Sequence, residues 1–131
     1  MYHGSCLCRE ITFSITSKIK DIVCCHCSKC RKAQGTAFAT NGNVDAKDFT
    51  FLSGENNLSH YKSSATQTKS FCKTCGSPIL SKNTSNPDIV RIRLGTIETD
   101  ISERPQAHVF VASKANWEVI CDHLPQHDEY D

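Results

Sequence analysis

The sequence predicts a small, mainly β domain with minor helix, on three observations. Apolar and polar residues alternate with a period of two in several short runs. No segment keeps helical periodicity over 11 residues. The third is size: 131 residues with 38% hydrophobic content can bury one modest core, so cross-links supplied by nine cysteines matter.

The clearest strand is residues 10–16, where Ile11, Phe13 and Ile15 alternate with Thr12, Ser14 and Thr16. A second strand over 21–26 runs into Cys25-His26-Cys27, and 28–34 form a helical turn stopped by Gly35. Residues 36–40 read as a strand closed by the turn signal Asn41-Gly42-Asn43, and 49–52 as one ending at Ser53-Gly54. Residues 58–62 and 66–71 pair around Ser63-Ser64 and deliver Cys72 to the sheet edge. Residues 79–81 leave the following turn, and 83–88 form a polar loop. Over 89–94, Val90, Ile92 and Leu94 alternate with Arg91 and Arg93. Residues 108–112 and 118–121 complete the set as two short strands. Residues 1–125 are expected to form a single domain, and 126–131 a polar tail that frays.

Fifteen basic against 14 acidic residues leave a net charge of +1, which supplies no broad basic field for nucleic acid or an anionic membrane. The first residues lack a basic segment followed by an apolar one, and no run approaches about 18 apolar residues. A soluble, cytoplasmic protein is expected, with neither nucleic acid nor membrane as partner.

An odd cysteine count with no secretion signal argues against a disulfide scaffold. Spacing points to metal instead: Cys6 and Cys8, then Cys25, Cys27 and Cys30, then Cys72 and Cys75 form three tight groups. On a strand, residues two apart share a side, so Cys6 pairs with Cys8 and Cys25 with Cys27, while Cys24 faces the opposite side into the core. Gly76 after the CxxC tolerates the positive φ of a metal-binding knuckle.

A closed structural site takes four ligands and an open one three, and seven sulfurs divide into four plus three. Cys6, Cys8, Cys72 and Cys75 then form a closed zinc site stapling the N-terminal strand to the middle hairpin, and Cys25, Cys27 and Cys30 an open one. Spacing alone leaves alternatives: a zinc ribbon of Cys27, Cys30, Cys72 and Cys75, or a second structural site completed by His26, Cys24 or a distant histidine. A redox dithiol at Cys27 and Cys30 lacks its βαβ context.

The ordered motifs Gly4-x-Cys6-x-Cys8, Cys25-His26-Cys27-x-x-Cys30-Arg31 and Phe71-Cys72-x-x-Cys75-Gly76-Ser77 resemble the glutathione-dependent formaldehyde-activating enzyme family, also called the centromere protein V family. So do His108-Val109-Phe110, Ser113-Lys114-Ala115-x-Trp117 and Asp122-x-Leu124-Pro125-Gln126. The resemblance implies an Mss4-like fold of small β-sheets in a tent-like arrangement, stapled by zinc. It also implies structural ligands at Cys6, Cys8, Cys72 and Cys75 and catalytic ones at Cys25, Cys27 and Cys30. Its founding activity is condensation of formaldehyde with glutathione, the reverse of a carbon–sulfur lyase reaction.

The expected partner is therefore a small thiol or aldehyde adduct, with glutathione as possible co-substrate. The alternative functions are a non-catalytic thiol-binding carrier and a zinc-stabilised interaction module. Arg31 is placed either on a glutathione carboxylate or in solvent. His26 is expected to hydrogen-bond or pack, His108 and Trp117 to line core or pocket, Ser113 and Lys114 to shape the site, and Cys121 to be buried.

Overall fold

The computed structural model describes residues 1–130 and contains two sheets. The small one orders its strands β1–β2–β5, from Tyr2–Ser5 (β1), Thr12–Ile15 (β2) and Phe49–Ser53 (β5). The large one has seven strands: Lys20–Cys25 (β3), Ala39–Asp45 (β4), Leu58–Lys62 (β6), Gln67–Cys72 (β7), Pro78–Asn83 (β8), Ile89–Arg93 (β9) and Ala107–Val109 (β10). Their order is β10–β3–β4–β9–β8–β7–β6, antiparallel except where β10 joins β3. The mainly β class with one helix is what the sequence predicts.

The alternation of β2 explains how the sheets meet. Phe13 and Ile15 are fully buried and share a core with Ile22 of β3, Val44 of β4, Leu80 of β8 and Val90 and Ile92 of β9. That core covers one face of the large sheet. On the other face lie Val23, Cys25, Ala39 and Val109, packed with Cys30 of the single helix, Ser28–Gln34 (α1).

The Asn41-Gly42-Asn43 signal is not a turn, because β4 runs through it. A Cβ on Gly42 would stand 2.4 Å from Ile19 and 3.2 Å from Ile22, so the glycine serves close packing of core against backbone. Asn41 and Asn43 point to the α1 face, where polar residues have work to do: Asn43 Nδ2 donates to Asp21 Oδ2 at 3.3 Å. The expected strand over 108–112 stops at Val109 because Phe110 adopts φ 57°, opening a 3₁₀ turn over Val111–Ser113. Residues 118–121 form no strand. Residues 126–130, expected to fray, bind back: His127 N donates to His108 O at 2.9 Å, and Val111 N donates to His127 O at 3.0 Å. Asp131, the last residue of that expected tail, lies outside the described residues.

Candidate metal centres

The chain turns sharply after β1 and after β7, and each turn presents two sulfurs. Cys6 and Cys8 are not on a strand, as alternation suggested. β1 ends at Ser5, and the turn is closed by Arg9 N on Cys6 O at 3.1 Å, with Arg9 at φ 67°. The second turn closes with Gly76 N on Cys72 O at 2.8 Å and uses the positive φ expected of Gly76, +80°. Leu7 N donates to Ser77 Oγ at 2.9 Å, which locks one turn to the other.

Cys6, Cys8, Cys72 and Cys75 thereby bring all four sulfurs within 4.8 Å of one another. Donors surround them: Ile11 N reaches Cys6 Sγ at 3.3 Å, Asn57 Nδ2 reaches Cys72 Sγ at 3.3 Å, and Cys75 N reaches Cys72 Sγ at 3.5 Å. N–H groups aimed at sulfur favour the thiolate, the form that binds metal.

The second group forms where β3 passes into α1. Cys25 ends β3, and Cys27 caps the helix, its sulfur accepting from Cys30 N at 3.3 Å, a place more often held by Ser or Asp oxygen. One helical turn brings Cys30 beneath, and Gly35 at φ 70° ends α1 as expected. The three sulfurs lie within 4.8 Å of one another, with Asn41 Nδ2 3.9 Å from Cys30 Sγ. Cys25 and Cys30 are buried and Cys27 half-buried.

The Cys25 and Cys30 thiols, hydrogen-bonded to Cys27, hold it down at about 2, and their own crowding with Cys27 pushes Cys25 up. Such a cluster keeps one negative charge cheaply and resists more, until a cation neutralises them. Both groups therefore have the donor chemistry to hold a metal ion. No cysteine among the described residues is disulfide-bonded.

His26, between Cys25 and Cys27, points away from the sulfurs and is fully buried. Asp122 accepts from His108 Nε2 at 2.9 Å, which leaves His108 Nδ1 as acceptor for His26 Nε2 at 2.8 Å. The ring of Phe38 packs on His26 at 4.9 Å. This chain clamps the loop that carries Cys25 and Cys27. Burial lowers the His26 pKa, which favours its neutral imidazole.

Cys24 is buried on the core side of β3, as alternation requires. Cys121 and Trp117, expected inside, are exposed, because residues 114–124 run over the surface without a strand to fold them inward. Ser113 is exposed, and Lys114 spends its ammonium on the carbonyls of Ala115 and Glu118. Arg31 is half-buried, with its Nε enclosed and unpartnered.

Three residues near the three-cysteine cluster escape sequence reasoning. Arg93, one of the two arginines that alternate with the apolar residues of β9, is only 4% exposed. Lys69 of β7 is half-buried, and Asn41 was hidden by its turn-like context. The one available signal was the recurrence of Arg91 and Arg93 at alternate positions of an otherwise apolar strand.

A family model described as glutathione-dependent formaldehyde-activating enzyme matches residues 1–113, a stretch that contains both sulfur clusters. The chain belongs to this family. Within the glutathione-dependent formaldehyde-activating enzyme family, it is 27% identical over 125 residues to a putative glutathione-dependent formaldehyde-activating enzyme of Halomonas elongata, covering 89% of this chain and 79% of that protein. It is 30% identical over 78 residues to an uncharacterized lyase of Schizosaccharomyces pombe, covering 60% of this chain and 55% of the yeast protein. The match thus spans about half the length of the yeast relative. A crystal structure of a Rhodobacter sphaeroides protein shares the fold, with TM-score 0.65, 25% identity, and coverage of 79% of this chain and 97% of that one. No helix among the described residues is long and apolar enough to cross a membrane.

Proposed function

We propose that the protein is a zinc-dependent enzyme of the carbon–sulfur lyase type, acting on an adduct of glutathione or another small thiol with an aldehyde. The observation that carries this reading is the unequal sulfur count: four at the knuckles, three at the start of α1. All-thiolate donor sets suit zinc. We assign Cys6, Cys8, Cys72 and Cys75 to a closed structural zinc and Cys25, Cys27 and Cys30 to an open catalytic one.

Cys25, Cys27 and Cys30 would hold a zinc ion by three thiolates, and that ion would supply the Lewis acidity that favours the thiolate form of a substrate thiol. In the adduct-forming direction the sulfur attacks the aldehyde carbon, a C–S bond forms, and the thiol proton ends on the former carbonyl oxygen. Cys27 is half-buried and the least enclosed of the three sulfurs, which supports giving it the side open to an incoming thiol. The His26–His108–Asp122 chain keeps the ligand loop from shifting as charge changes.

Magnitudes limit what deprotonation contributes. A thiol of pKa about 8.5 is already a few per cent ionised at neutral pH, so full ionisation yields at most roughly thirty-fold. Placement of the carbonyl carbon beside the sulfur must supply the remainder. Arg31, next to Cys30 and with its Nε unpartnered, is the residue we assign to a glutathione carboxylate.

The test is metal stoichiometry by native mass spectrometry together with turnover over a panel of thiol–aldehyde adducts. Two zincs are expected in the wild-type protein, and one zinc, a retained fold and no turnover in Cys27→Ser. Wild-type protein that binds thiols without accelerating any adduct reaction would instead be a carrier.

A further inference from the structure

The buried polar atoms that find no hydrogen-bond partner are not scattered. They are His26 Nδ1, Arg31 Nε, Gln34 Oε1, Asn41 Oδ1, Ser81 Oγ and Arg93 Nη1. Every one belongs to α1, to the loop that leads into it, or to β4, β8 and β9 of the large sheet; none belongs to the small sheet or to the four-cysteine knuckles. Unpaired buried polar groups are costly, so their concentration marks a surface arranged for something outside the chain.

Arg93 is the most costly of these. Its residue is 4% exposed and its Nη1 is enclosed without an acceptor. Strand pairing sets Arg93 opposite Asn41, whose amide reaches the Cys30 sulfur. On its other side Arg93 lines a cavity of about 380 Å³ shared with Ala33 of α1, Tyr61 of β6, and Lys69 and Phe71 of β7.

Lys69 brings a second cation to the cavity, and no acidic residue lines it. Neither Lys69 nor Arg93 enters an ion pair among the described residues. Two cations beside a half-apolar wall, one of them dehydrated and unpaired, form a receptor for a carboxylate, which guanidinium binds through two parallel bonds.

We propose that Arg93 and Lys69 form a carboxylate subsite next to the three-cysteine cluster, making the protein selective for thiols that carry an anionic group. The proposal rests on the thiol-capture reading for the meaning of the cluster, and extends it to substrate choice. The rival role for the two cations is charge balance. A divalent ion with three thiolates carries a formal charge of −1, and a fourth thiolate makes it −2, which Arg93 and Lys69 would offset with no carboxylate present.

S-Methylglutathione separates these roles, because it keeps both carboxylates and has no thiol to offer. Calorimetric titration of the zinc-loaded protein is expected to show S-methylglutathione binding about tenfold to a hundredfold more tightly than its diethyl ester. Arg93→Gln should reduce that preference by about tenfold, and Arg93→Lys should restore part of it. Lys69→Gln, at a half-buried position, carries the same expectation and guards against a misfolded Arg93 variant.

Equal binding of acid and ester, no binding of either, or a preference that survives both Gln variants overturns the subsite. A parallel titration with 2-mercaptoethanol reports on thiol capture alone. Its failure to bind would sink the thiol-capture reading and leave the acid–ester comparison to be judged separately. If Arg93→Gln weakens 2-mercaptoethanol as much as S-methylglutathione, the arginine serves charge balance and the subsite is again overturned.

Discussion

The two sulfur clusters share a Cys-x-x-Cys in which the second cysteine's amide donates to the first sulfur, and have opposite surroundings. At the four-cysteine cluster Asn57, Ile11 N and Cys75 N serve the sulfurs, Ser77 binds the facing turn, and no buried polar atom is left over. At the three-cysteine cluster the neighbours are under-satisfied: Arg31, Gln34, Asn41 and Arg93 each enclose an atom with no partner. A site whose purpose is to hold the fold can be completed by the chain itself. Under the proposed function the three-cysteine cluster accepts another molecule, which would account for unpartnered donors and acceptors on that face only.

The largest effect should come from breaking the closed cluster. Cys72→Ser removes a fully buried sulfur that ties β7 to a turn 64 residues away, and a zinc–thiolate site contributes on the order of 10 kcal/mol to folding. That equals the whole net stability of a small domain, so loss of the folded circular dichroism spectrum is expected. A Cys72→Ser protein melting near the wild-type temperature would erase the proposed difference from Cys27→Ser.

Metal removal should sharpen the contrast next. Under a chelator, zinc from the three-cysteine cluster is expected to leave first with the fold intact, and the second zinc only as the fold is lost. Release in one step, or unfolding with the first metal, would show the clusters to be equivalent.

The smallest effects lie in the amides that touch sulfur. Asn57→Ala removes bonds to Cys72 Sγ and Thr74 Oγ1 and should lower stability by about 1 kcal/mol, seen in denaturant melts. Asn41→Ala removes a longer contact and an amide oxygen that is already unpaired. It should shift the melt less, while weakening thiol binding at the open cluster. Reversed sensitivities would mean that the orphaned groups belong to the fold.

Much of the scaffold was legible in the sequence where local rules act alone. The hairpin of β6 and β7, the extent of α1 with its Gly35 stop, and the positive φ of Gly76 all follow from spacing over a few residues. Misreadings occurred where a residue answered a distant neighbour. Gly42 looked like a turn because its packing against Ile19 cannot be seen locally. Cys6 and Cys8 looked like strand residues because Arg9 gave no sign of its left-handed backbone. Cys121 and Trp117 looked like core because apolar character was taken for burial.

The sequence by itself determined which seven sulfurs gather and in what local groups, since two- and three-residue spacings are set by the backbone that carries them. It also determined that Arg91 and Arg93 share a side of their strand. Only the tertiary structure decided what that side faces. Period-two alternation assigns a residue to one of two surfaces, and the burial of that surface depends on α1 and on strands far away in sequence. Arg93 is thereby an enclosed, unpaired cation beside the three-cysteine cluster, a property that exists only after the sheet is assembled.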